Sequence, residues 1–126
     1  MQFLEFAEVC ERLEGIPGRL EMIEQVAAVL PGLDDDELPI FVRFIMGRVF
    51  PDWSTNNLGV GPNLLYDAVA YVVGTKRETV REAINATGDA GLAVERLLAK
   101  KEQTSFFIEA LDLVDVYREF ERMAAA

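Results

Sequence analysis

Apolar positions recur at helical spacing along almost the whole chain. Phe3, Phe6, Ala7, Cys10 and Leu13 stand at i, i+3, i+4, i+7 and i+10, which predicts a helix over about residues 2–13. Glu5, Glu8, Glu11 and Arg12 fill its polar side. Gly15-Ile16-Pro17-Gly18 breaks this pattern, and Pro17 suits the opening of a second helix carrying Leu20, Ile23, Val26, Ala27 and Leu30. Pro31-Gly32 stops that helix. Asp34-Asp35-Asp36-Glu37 then precedes a third helix, about 37–46, where acids suit the positive end of the helix dipole. Pro39 is tolerated there because it falls in the first turn. Leu38, Ile40, Phe41, Val42, Phe44, Ile45 and Met46 surround this helix with apolar side chains, so it is expected to be central and buried.

Beyond Gly47 the pattern lapses into a connection, and Ser54 to Gly61 is polar and glycine-containing. A fourth helix is expected from Pro62 to Val73, with Leu64, Leu65, Ala68, Val69 and Val72 on one side and Gly74 as its stop. Thr75-Lys76-Arg77-Glu78 reads as a capping box opening a fifth helix with Val80, Ala83 and Ile84. Gly88 ends it. Asp89 can cap a sixth helix with Leu92, Ala93, Leu97 and Leu98, and Lys100 and Lys101 suit its negative end. Residues 102–110 read as a connection. A last helix opens at Asp112 and carries Val116, Tyr117, Phe120 and Met123, as if beginning another unit. No run of period two is sustained, so the expected fold is all-α, with six or seven helices. Its core is expected to be built on Phe41, Phe44, Ile45, Leu65, Val69 and Leu97.

Composition narrows the function. The 126 residues suit one domain, and 51% apolar residues are enough for a packed core. No apolar run approaches the roughly 18 residues of a membrane helix, and no signal peptide is expected at the start. One cysteine, Cys10, cannot form an internal disulfide, so a reducing, cytoplasmic setting is the default. Without histidine there is no Ser-His-Asp or Cys-His catalysis and no His-ligated zinc. No P-loop and no Lys-x-Asp-Gly motif occurs, and no catalytic, cofactor or metal site is expected in the chain. Asp34 to Glu37 lacks the alternating ligands and glycine turn of a calcium loop.

Charge argues at first against nucleic acid: 12 bases face 22 acids, a net −10. The acids are unevenly placed, however. Residues 1–37 hold 10 acids and 2 bases, 38–104 hold 7 and 8, and 105–126 hold 5 and 2. The middle is therefore nearly neutral. A mean hydropathy of +0.14 is high for a free-standing soluble domain and suits a piece of something larger, with a face meant for a partner.

Leu58-Gly59-Val60-Gly61-Pro62-Asn63-Leu64-Leu65 is the most informative stretch. Glycine lets backbone approach a ligand, and free amides at a helix start bind anions. Read for structure alone, it is a tight turn before a proline-started helix. Gly88-Asp89-Ala90-Gly91 is a second loop-to-helix junction, read first as a stop followed by a cap. Trp53 and Phe50 flank Pro51-Asp52, where an aromatic ring either stacks on a base or packs the loop onto the core. Arg19, Arg48, Lys76, Arg77, Lys100 and Lys101 are candidate phosphate ligands, each with a plain solvated charge as its alternative.

These motifs, in this order, resemble the N-terminal DNA-binding domain of ATP-dependent DNA ligases. The resemblance is carried by Leu58-Gly59-Val60-Gly61, Leu64-Leu65 with its alanine-rich helix, and Gly88-Asp89-Ala90-Gly91. Arg12-Leu13-Glu14 and Arg19-Leu20-Glu21 are similar too, and Gly47-Arg48-Val49-Phe50-Pro51-Asp52-Trp53 resembles the archaeal branch. It spans Phe3 to about Tyr117. The resemblance implies an all-helical domain that binds duplex or nicked DNA across the minor groove and helps encircle a nick. It also implies that adenylation and OB-fold domains follow, carrying the lysine that takes AMP from ATP, and the magnesium. The family's DNA-binding domain has a second helical half, so residues 1–104 would be a DNA-binding subdomain and 105–126 a linker plus the first helix of that half. Pro62 departs from the family pattern and removes one amide. The phosphate role then rests on the amides of Gly61 and Asn63 and on the Asn63 side chain. The expected DNA surface comprises Gly18, Arg19, Gly59, Val60, Gly61 and Asn63. The competing expectation is an acidic helical module for protein partners, without nucleic acid.

Overall fold

A computed structural model describes residues 1–100 and 110–125. Lys101 and residues 102–109 of the connection expected at 102–110 lie outside the described residues. Among those residues the protein forms seven α-helices, a 3₁₀ turn and no sheet. The helices are α1 (Phe3–Glu14), α2 (Arg19–Val29), α3 (Glu37–Ile45), α4 (Pro62–Val73), α5 (Arg77–Thr87), α6 (Ala90–Ala99) and α7 (Leu113–Ala125). They fall into two compact units, residues 1–58 with 110–125, and residues 59–100.

The first unit is built on Phe6, Val9, Ile40, Phe41 and Leu113, with Phe41 and Leu113 wholly buried. Phe6 meets the edge of Phe41 at 5.8 Å and of Phe44 at 5.7 Å. Burying each such side chain contributes about 1.5–3 kcal/mol. Helix α7 packs on α3 and α1. The chain start ties it down: Phe3 N–H donates to the Leu111 carbonyl at 2.7 Å, and Leu113 N–H to the Met1 carbonyl at 2.9 Å. The sequence pattern offers the apolar face of α7 to another unit; here Tyr117 and Phe120 lie against Phe44 instead.

Helix α3 departs from expectation in one respect. Ile40 and Phe41 are buried, but Leu38, Val42 and Met46 are exposed. One face meets the core, and the other carries apolar residues that remain exposed. The acids before α3 act as a cap. Asp34 Oδ1 accepts from the amides of Asp36 and Glu37, and the Asp34 amide donates to Glu37 Oε1. Glu37 also pairs with the Met1 ammonium and is buried.

The second unit packs α4, α5 and α6 around Val69, Ala70 and Val80, with Leu65, Val73, Ile84 and Leu97 against them. The expected single core is thus divided: Phe41, Phe44 and Ile45 belong to the first cluster, and Leu65, Val69 and Leu97 to the second. Helical periodicity marks which positions are buried, not which helices share them. The capping box read at Thr75–Glu78 is not formed. The Thr75 amide closes α4 by donating to the Ala70 carbonyl, and α5 starts after Lys76 with no side-chain cap.

Candidate nucleic-acid interface

Three helix starts follow glycine, and they differ in what their free amides meet. At α6 the left-handed Gly88 (φ 74°) stops α5, and the Asp89 carboxylate accepts from the Gly91 and Leu92 amides. That junction is the stop-and-cap expected, and its amides are occupied. At α4 the cap position is Gly61, with no side-chain cap, and Pro62 follows it. Among the described residues the amides of Asn63 and Leu64 have no acceptor. At α2 the cap position is Gly18, again without a side-chain cap. Glu21 in that first turn partly satisfies the dipole.

The two glycines before α4 have different reasons to be glycine. Gly59 has φ +68°, a conformation side chains disfavour. Gly61 has φ −93°, and a Cβ built there meets nothing within 4 Å. Neither backbone angle nor space bars a Cβ at 61. Gly61, Val60 and Asn63 are all exposed.

Two adjoining cavities open at this start and share Tyr66. One, of about 350 Å³, is lined by Val60, Gly61, Pro62, Leu65, Tyr66, Ile84 and Ala90. The other, of about 250 Å³, is lined by Asn63, Tyr66, Arg77, Glu78 and Arg81. The sequence reading missed Arg81 and Tyr66 as site residues. The signal available was spacing: Arg81 stands four residues after Arg77, on the same side of α5.

Gly18 and Arg19 belong to the first unit, and Gly59, Val60, Gly61 and Asn63 to the second. Arg19 is exposed at the rim of an apolar groove between Leu13 and Met22, Ile23, Val26, Ala27 and Leu30. Of the other candidate ligands, Arg48 pairs with Asp52, and Lys76 and Lys100 are exposed at helix ends. Phe50 packs on Tyr117 at 6.2 Å, whereas Trp53 is 86% exposed and packs nothing down. Among the described residues no group of three acids or cysteines is arranged to hold a metal. Burial pushes the Cys10 thiol above its ordinary value, which makes it a poorer nucleophile. No described helix is long and apolar enough to cross a membrane.

A family model described as DNA ligase N terminus matches residues 2–126. This chain belongs to that family. Its relatives include the DNA ligase of Methanoculleus marisnigri, 86% identical over 126 residues, and that of Methanosphaerula palustris, 56% identical over 126 residues. Each of these alignments covers 100% of this chain. The DNA ligase of Archaeoglobus fulgidus is 42% identical over 126 residues, 99% of the chain. The chain spans 23% of the length of each of these ligases. The family assignment and the archaeal relatives agree with the motif order, and the all-α fold agrees with the family's expected architecture.

Proposed function

We propose that this ligase N-terminal region binds the sugar-phosphate backbone of duplex and nicked DNA without reading sequence. The parent chain would be an ATP-dependent ligase acting in replication and repair, with adenylation and OB-fold domains supplying the ATP and magnesium chemistry. Residues 105–126 would lead into a second helical half of the DNA-binding domain. The carrying observation is the open start of α4, where Gly61, Pro62 and Asn63 are exposed and the amides of Asn63 and Leu64 lack acceptors among the described residues. Such a start favours an anion. Gly61 adds to this, because neither angle nor space demands glycine there, whereas a closely approaching backbone does. Gly59 and Val60 hold that turn, and Gly18 with Arg19 would add a contact from the first unit. Phosphate contacts position a protein but carry no sequence information.

The test is binding to nicked duplexes of unrelated sequence by the complete ligase, across a salt series. Affinity should be the same for all sequences, and log K should fall with log salt at about −0.9 per phosphate neutralised. Gly61→Val meets no steric bar, an unchanged far-UV spectrum checks that α4 persists, and the variant should weaken nick binding at least tenfold. Unchanged affinity in that variant would assign the turn to structure alone.

A further inference from the structure

We propose that the cleft between α4 and α5 is a phosphodiester subsite, in which Arg77 and Arg81 supply the charge that the open start of α4 lacks. The assignment rests on the DNA reading above. Arg77 and Arg81 stand one helical turn apart and line one cleft of about 250 Å³ with Asn63 and Tyr66. Asn63 is the first residue of α4 with a backbone N–H, so the cleft joins a helix N-terminus to two guanidinium groups.

The two arginines are held differently. Arg77 Nε lies 3.5 Å from Asp67 Oδ1, a bridge that fixes the guanidinium through Nε and leaves its terminal nitrogens without an acceptor among the described residues. Arg81 is exposed, and among the described residues no acid pairs with it. Elsewhere Arg48, Arg118 and Arg122 are each paired with an acid three or four residues away. An unpaired guanidinium beside a positioned one can engage a phosphate in a forked, charge-assisted geometry. Glu78 also lines the cleft and opposes an anion, but Lys76 precedes the pair at the start of α5. Two arginines and one acid therefore line the cleft itself, in a chain whose net charge is −10.

The experiment uses the complete ligase and a nicked duplex, with binding measured by fluorescence anisotropy over a salt series. Arg77→Ala and Arg81→Ala should each weaken binding and make the log-log slope shallower by about one unit, and the double variant by about two. Arg81→Lys keeps the charge and should keep the slope. Arg122→Ala, which removes a paired arginine of α7, should behave as wild type. Both replaced side chains of the cleft are exposed, and an unchanged far-UV spectrum checks that the helices persist. If the wild type binds with a steep slope and the double variant matches it, the subsite is refuted while the DNA reading stands. An Arg81→Lys variant as weak as Arg81→Ala would also refute it, since charge would not be the cause. If the wild type shows no salt-dependent binding, the DNA reading fails and takes the subsite with it.

Discussion

At the scale of single residues, Glu37 joins more of the first unit than its place in an acidic run suggests. The run Asp34 to Glu37 reads as acids suited to the positive end of a helix dipole. Beyond that, Glu37 is buried, caps the turn through the Asp34 amide and pairs with the Met1 ammonium. A carboxylate that satisfies two donors at once is costly to lose: the Asp34 amide loses its acceptor, and the Met1 ammonium keeps only Asp112, 3.9 Å away. Glu37→Ala should therefore destabilise the chain by about 2 kcal/mol. Glu37→Gln, which retains an acceptor for the Asp34 amide, should cost less. Urea denaturation is the measurement, read as a shift in midpoint with the slope unchanged. Equal midpoints for wild type and Glu37→Ala would mean that these bonds add nothing to stability.

At the scale of elements, local punctuation was legible and partnership was not. Helix α4 runs from Pro62 to Val73 as its proline start and glycine stop predict, because both signals act within one turn of the chain. The same holds at α6, where Asp89 has the glycines and apolar run that make it a cap. Thr75 misled because the preceding helix took its amide first, a competition between neighbours that neither pattern contains. The one-sided burial of α3 and the docking of α7 depend on contacts far apart in sequence, so periodicity alone left them open. The candidate site follows the same rule: the glycine turn before α4 was visible, whereas Arg81 and Tyr66 join it only once α5 lies beside α4. The α6 cap permits a direct measurement. Asp89→Ala frees the Gly91 and Leu92 amides and should cost about 1 kcal/mol, within the usual 0.5–2 for a lost cap. Asp89→Ser should recover most of that, again read from the urea midpoint. A loss equal to that of Asp89→Ala would show that the hydrogen-bonding cap is not what Asp89 contributes.

At the scale of the whole molecule, charge and catalytic equipment separate what this region does from what a complete ligase does. The acids concentrate in residues 1–37, and the near-neutral stretch 38–104 contains the open helix start and the arginine cleft. On the proposed reading, a DNA contact would draw on local charge, and the net −10 sets only the long-range field, which salt screens within about 10 Å at 0.1 M. Catalysis is a stricter matter. In the reaction proposed for the parent ligase, a lysine Nζ would attack the α-phosphorus of ATP, forming the N–P bond and expelling pyrophosphate. An amine becomes such a nucleophile when a pocket desolvates it or a neighbouring cation lowers its proton affinity. The chain has three lysines, Lys76, Lys100 and Lys101, and none is followed by x-Asp-Gly. Lys76 and Lys100 are exposed at helix ends. Incubated with magnesium and ATP labelled at the α-phosphate, the isolated chain should retain no label after denaturation and should seal no nick. A denaturation-resistant adduct on any of the three lysines would overturn the assignment of this region to DNA binding alone.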